Sequence, residues 1–423
     1  MRCWLSGWCE RLTPHRGLVP AALLWLLSAL LAGCATPPGD AGTGPALALV
    51  GGFVVDPASQ APPRRADVLI QGERIGAVGR RLRIPASARR IDVAGRYLVP
   101  GLWDMHAHVA AIGPAGDALE DYVRHGVLGI RDMGGRVDEV LALRDAVARG
   151  ELVGPTMVVA GPTLNGEQAA DFHRLVRDGA EARAAVGELH GRGVDFIKIH
   201  RQTSREAFYG VRDQARAERL TFAGHVPLAI DWIEAADAGM RTIEHVQTIL
   251  ENEVEQGLEP VRAVTEAMDR VEGPRGDAIF AALARNGAFW DPTLVAYEAS
   301  WRDDPPERQA LKQRLYARMR PLVGRAFRAG VPILAGTDLL EARGQGLLDE
   351  LDRLVRAGLT PRQALAAATV TPHGLVGRGP GPIRPGGEAS LIVVDGDPIA
   401  EIANVRRLSL VVLRGRMIDP SPR

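Results

Sequence analysis

Eight short apolar segments recur between Leu102 and Thr337, and their spacing limits the folds open to this chain more than any other feature. They are Leu102–His106, Val127–Asp132, Thr156–Gly161, Phe196–His200, Thr221–Val226, Thr242–Val246, Ala288–Asp291 and Ile333–Thr337. Each has the length of a strand, and amphipathic stretches such as Arg205–Arg219 stand between them, with Leu347–Ala357 after the last. Alternation of this kind predicts an α/β protein built on a (β/α)8 barrel of the TIM type. The competing architecture, an open doubly wound sheet, is expected to carry a glycine-rich phosphate loop after its first strand. None is present there.

The barrel is expected over residues 100–376, flanked by two segments of a different texture. Residues 47–99 and 377–423 carry short period-two runs such as Asp67-Val-Leu-Ile70 and Ser409-Leu-Val-Val-Leu-Arg414, broken by Gly, Pro and Arg. These two ends are predicted to pair into one small β-sandwich.

The start of the chain reads as a processing segment. Arg2, Arg11 and Arg16 precede an apolar run from Leu18 to Ala32, too short for a comfortable transmembrane helix and ended by Leu31-Ala32-Gly33-Cys34. Residues 1–33 are expected to be a lipoprotein signal, with Cys34 lipidated as in the bacterial lipobox and residues 34–46 a flexible tether. Cys3, Cys9 and Cys34 are the only cysteines, so cleavage would leave no pair for a disulfide. The expected location is extracytoplasmic, held at a bacterial membrane through the lipid alone. Lys plus Arg and Asp plus Glu both number 51, so no global field draws the chain to nucleic acid.

Chemistry in such a barrel gathers where the strands end. His106 and His108 close the first segment with one residue between them, which on a strand puts both imidazoles on one side and suits a metal. Lys198, His225, His245 and Asp338 stand at the ends of later segments. The intervals fit whole β/α units, with a helical insertion over Glu253–Arg285. Lys198 is one of only two lysines in a chain that otherwise uses arginine. A lysine kept inside an apolar strand marks a place where guanidinium cannot serve. A desolvated amine beside cations is readily neutralised, and uptake of carbon dioxide turns it into an anionic carbamate with two oxygens. His200, two residues further, shares the inward face and is expected to bind substrate. His125, His173, His190 and His373 read as ordinary core or loop residues, Trp103 and Trp290 as packing, and Arg131-Asp132 as an ion pair capping the barrel. Residues 164–178 read as a substrate lid.

These motifs together, Pro100-Gly-Leu-Trp-Asp-Met-His-Ala-His108, Gly129-Ile-Arg-Asp-Met-Gly134, Asp195-Phe-Ile-Lys198, Gly224-His-Val-Pro227, Ile243-Glu-His245 and Ala335-Gly-Thr-Asp338, resemble the amidohydrolase superfamily, and most closely its secreted imidazolonepropionase- and prolidase-like members. The resemblance implies a two-metal site, with zinc the expected ion. His106 and His108 would bind the buried metal, His225 and His245 the more exposed one, and carboxylated Lys198 would bridge them. Asp338 would sit on the buried metal and act as general acid–base for a bridging hydroxide. The implied reaction is hydrolysis of a carbon–nitrogen bond in a small amide, cyclic amide or short peptide. A lactonase or esterase on the same site, or a metal-containing binding lipoprotein, are the alternatives. The sequence departs from the prolidase pattern after Lys198, where Ile-His-Arg-Gln replaces a glycine-rich segment, and at Leu348, where similar sequences place a histidine.

Overall fold

The computed structural model describes residues 46–110, 115–255, 257–341 and 343–420. The expected signal, Cys34 and all of the tether but its last residue lie outside the described residues. Residues 1–43 and 44–423 separate into two units, and the second carries everything below.

The amino-terminal period-two runs form β1 (Leu47–Val54), β2 (Arg64–Gln71), β3 (Arg74–Gly79), β4 (Arg89–Asp92) and β5 (Tyr97–Pro100). The middle supplies β6 (Leu102–Ala107), β7 (Val127–Asp132), β8 (Thr156–Val159), β9 (Thr163–Asn165), β10 (His173–Leu175), β11 (Ile197–Ile199), β12 (Phe222–Gly224), β13 (Thr242–Glu244) and β14 (Phe289–Asp291). The end of the chain adds β15 (Leu391–Val394), β16 (Leu408–Leu413) and β17 (Arg416–Ile418).

Both termini meet in one eight-stranded sheet of order β17-β16-β15-β5-β1-β2-β3, with β4 also on β1. The join is antiparallel, Val393 opposite Leu98 and Leu391 opposite Pro100. Residues from distant strands, Leu49, Val68 and Ile70 with Val393 and Val412, share one core, so the sheet folds over itself. Ile75 N donates to Gly387 O at 2.9 Å and Gly386 N to Ile75 O at 2.8 Å, which brings β3 against the approach to β15.

The barrel ring runs β6-β7-β8 in parallel, passes to β11 where Asp195 N donates to Val159 O, and continues β11-β12-β13-β14. Residues 333–337 take the eighth place. Ile333 bridges Trp290, Met105 N donates to Ala335 O, and Asp338 N donates to His106 O at 2.8 Å, closing the ring beside the first histidine. Trp103, Met105, Val158, Phe196, Ala223 and Leu334 form a cluster inside it. Burial of the larger of these side chains contributes about 1.5–3 kcal/mol each. The outer helices form where the sequence caps them. Ser204 accepts from Ala207 N at 3.1 Å to start Arg205–Ala217, whose Ala207, Phe208, Val211 and Ala215 face inward at helical spacing. Residues 164–178 are more than a loop. β9 pairs with β11 through Leu164 and Ile199, and β10 lies parallel on β9.

Candidate metal centre

Asp338 gathers three imidazoles. Its Oδ1 lies 3.5 Å from His106 Nε2 and 3.4 Å from His108 Nε2, and its Oδ2 lies 3.7 Å from His245 Nδ1. Burial works against the carboxylate, but these neighbours outweigh it and hold its pKa well below the usual range. The His245 ring stands 4.5 Å from that of His225, which is 4.1 Å from His200. Lys198 is buried on β11 beside Ala223 of β12, and burial pulls its ammonium down to about 8. It forms no ion pair with a carboxylate among the described residues.

Two glycines make the close approach possible. A Cβ on Gly336 would stand 2.7 Å from His106 Cβ and 2.3 Å from Asp291 Oδ2. One on Gly224, at φ +130°, would stand 2.9 Å from Lys198 Cδ and 2.1 Å from Ile199 O.

Behind the imidazoles each ring is oriented by a second group. His106 Nδ1 pairs with Glu244 Oε2 at 3.1 Å, His108 Nδ1 donates to Gly134 O at 2.9 Å, and His245 Nδ1 lies 2.8 Å from Thr293 Oγ1. These contacts leave Nε2 of His106 and His108 toward Asp338, the arrangement that metal-binding histidines adopt. Glu244 in turn accepts from Arg131 Nη2 at 2.9 and 3.0 Å, and Arg131 Nη1 donates to Thr242 Oγ1 at 2.6 Å. Asp104 accepts from His106 N, Thr337 N and Thr337 Oγ1, tying β6 to the eighth segment, and burial pushes its carboxyl up to about 7. Burial also pulls His106 down to about 4 and His200 and His245 to about 3, so these rings are neutral and able to donate a lone pair.

The donor set fits a divalent metal. His225 Nδ1 and His200 Nδ1 are buried with no hydrogen-bond partner, and an imidazole nitrogen left bare in a protein interior is costly unless something binds it. Ligand atoms of His106, His108 and Asp338 lie within 4.8 Å of one another. So do those of His106, Glu244 and Asp291, but there Arg131 already supplies the cation, 3.5 Å from Asp291. The first group, with no cation already beside it, is the one that could hold a metal ion.

The Amidohydrolase family pattern matches residues 97–418. The chain belongs to that family. As an amidohydrolase it is a hydrolase acting on carbon–nitrogen bonds. It is 29% identical over 348 residues to an uncharacterized protein of Mycobacterium tuberculosis, covering 77% of this chain and 86% of that one. It is 48% identical over 62 residues to an N-acyl-D-glutamate deacylase of Alcaligenes xylosoxydans xylosoxydans, 15% of this chain and 12% of that one. It is similar in fold to the crystal structure of a prolidase complexed with N-methylphosphonate-L-proline, with TM-score 0.73, 24% identity, 89% of this chain and all of the other covered.

In this amidohydrolase the structure brings together His106, His108, Lys198, His200, His225, His245 and Asp338. It also adds residues that a strand-end reading passes over. Phe172 lies 5.5 Å from His108 and His173 lies 5.0 Å from His200, ring to ring. With His225, His245 and His106 they close a circle of seven rings. His173 is therefore part of the site wall, not the ordinary loop histidine that its position suggests. Among the described residues the expected Arg131–Asp132 pairing gives way to other partners. Arg131 reaches across to Glu244, whereas Asp132 accepts from Val109 N and Gly134 N, because neighbours on a strand point to opposite sides. Leu348 is buried packing, and two residues on Glu350 accepts from Leu294 N and Val295 N, bracing the turn that holds Thr293.

Proposed function

We propose that the chain is a metal-dependent hydrolase that cleaves the carbon–nitrogen bond of a short peptide, an N-acyl amino acid or a cyclic amide. The reading is carried by the convergence of three imidazoles on Asp338, with Lys198 and the unmatched nitrogen of His225 beside them. His106, His108 and Asp338 would hold one divalent, zinc-like ion, His225 and His245 a second, and a Lys198 carbamate would join the two. Such ions supply a water that ionises near neutral pH and a Lewis acid for the substrate carbonyl.

The chain's own groups do the rest. Lys198, pulled down by burial, is partly neutral near its pKa of about 8 and can add carbon dioxide, releasing one proton and leaving an anionic carbamate. Asp338 is ionised, so it accepts the proton of the attacking water and passes it to the leaving nitrogen. His200, its ring 4.1 Å from that of His225 and its Nδ1 without a hydrogen-bond partner, would contact the substrate. The N-terminal segment, with its apolar run and Cys34, anchors the enzyme to a membrane on the extracytoplasmic side.

The test is metal content per chain, with bicarbonate present, in the parent and in Lys198→Ala, followed by hydrolysis assays on dipeptides, N-acyl amino acids and lactones. About two zinc-like ions in the parent, lost in the variant, are expected. One ion or none, unchanged by the substitution, would overturn the bridged centre.

A further inference from the structure

The arginines of this chain are unevenly distributed. Many in the barrel and its helices are matched, Arg318 with Asp269 and Glu272, Arg275 with Asp231 and Glu253, Arg406 with Asp349 and Asp352, while others such as Arg216, Arg302 and Arg356 are exposed and scattered singly. In the terminal sheet Arg65, Arg80, Arg81, Arg83, Arg89 and Arg90 are all exposed, and none forms an ion pair among the described residues. Residues 64–92 hold eight arginines against three acids, in a chain whose totals balance. Those acids are turned to other partners. Asp67 accepts from Gly51 N and Leu82 N, and Asp92 from Ala94 N, while Glu73 sits in the turn between β2 and β3.

Four of these arginines share one side of the sheet. Arg90 is in register with Ala48, which packs with Leu69, Leu82 and Ile84 on the face away from the main core of the sheet. Arg65 alternates with the inward Ala66 and Val68, and it lines one groove with Arg80 and Arg81 over Val50 and Gly51. The chain enters the fold at the same place. Leu47 is in register with Arg89, whose N donates to Ala46 O at 2.8 Å. Just upstream stand Cys34 and the apolar run Leu18–Ala32, so the intervening residues span at most about 45 Å when fully extended.

We propose that this arginine face docks on an anionic lipid surface, so that the enzyme lies on the membrane rather than hanging from it. The proposal rests on the anchor reading above and adds to it an orientation. Guanidinium groups suit lipid phosphates because they bind them through paired N–H donors, and several such groups near one surface act together. The attraction is screened by salt, with a Debye length of about 10 Å at 0.1 M.

The test uses the full lipidated chain with vesicles of phosphatidylcholine alone or with phosphatidylglycerol added. Sedimentation reports the anchor. Modification by phenylglyoxal, read by peptide mass mapping, reports the face. Arg65, Arg80, Arg81 and Arg90 are expected to react roughly tenfold more slowly on the anionic vesicles, and to recover at high salt. The variant R65Q/R80Q/R81Q/R90Q should keep its hydrolytic activity and lose salt-sensitive binding to the anionic vesicles. Equal reactivity on both vesicle types, with the chain still sedimenting, would overturn the docking face and leave the anchor standing. Failure to sediment with neutral vesicles would overturn the anchor, and the anionic arm would then decide the face alone. Equal protection by inorganic phosphate without vesicles would overturn the lipid assignment.

Discussion

Thr293 Oγ1 lies 2.8 Å from His245 Nδ1, and both residues hold left-handed backbone, at φ 42° and 70°. Asp338, at φ 53°, is a third. L-residues adopt this region at a cost of about 1–3 kcal/mol, more easily for Asp or His than for a β-branched residue. Three such residues in contact at one centre mean that the surrounding packing fixes their geometry. The Glu350 carboxylate, accepting from the two N–H groups that follow Thr293, is part of that packing.

Thr293→Val keeps the branched shape and removes only the hydroxyl. Loss of a group that orients a ligating histidine typically lowers metal affinity or turnover 10–100-fold, and roughly that loss is expected here. Zinc titration with steady-state rates checks it. A variant with parental metal affinity and kcat would show that backbone strain alone positions His245.

Asp338→Asn keeps the side-chain volume and removes the base. Turnover is expected to fall about 10²–10⁴-fold while metal binding is retained in large part. Metal analysis alongside kcat separates the two effects, and an active Asn variant would remove Asp338 from proton transfer.

Arg131 and Glu244 are both buried, so removing one strands the other. Arg131→Met should destabilise the fold by about 3–5 kcal/mol, and adding Glu244→Gln should return much of it. Denaturant unfolding of the two single variants and the double variant gives the coupling. Simple additivity would mean that Glu244 finds its compensation elsewhere, through His106 or Thr242.

Glu350 gives a pH signature. Burial pushes its carboxyl up to about 8 from an ordinary 4.5, despite two backbone donors. The folded state therefore holds this proton more tightly than the unfolded chain. The stability it contributes is complete below about pH 4.5 and is lost as pH rises toward 8. Each pH unit inside that window costs at most about 1.4 kcal/mol. Glu350→Gln should melt below the parent near pH 5 and close the gap toward pH 8. A difference that stays constant with pH would show an ionised Glu350.

The six residues expected as metal ligands stood out because each is a polar residue in or just after a strand-length apolar segment, where it has no packing reason to be, and the structure brings them together. The barrel was legible for the same reason, since period and spacing are local properties. Glu244, Thr293 and Glu350 were not. Glu244 meets Arg131 from 113 residues away and Glu350 meets Leu294 from 56, and no local pattern records such a pairing. Arg131-Asp132 misled because adjacency in sequence suggests a pair that strand geometry forbids. Phe172 and His173 were hidden in a segment rich in polar residues, whose short pairing to β11 through β9 is what carries them to the site.

The pairing of β5 with β15 has a consequence for biosynthesis. Leu98 and Val393 are neighbours in the finished sheet, yet nearly the whole barrel must be translated between them. Until β15 emerges, β5 presents a bare edge of unpaired backbone groups, an exposure that chaperones and proteases read as incompleteness. Contacts this distant in sequence also form slowly. A chain that stops short of Leu391 lacks the strand that covers that edge, so closure of this sheet marks a polypeptide translated at least through β15.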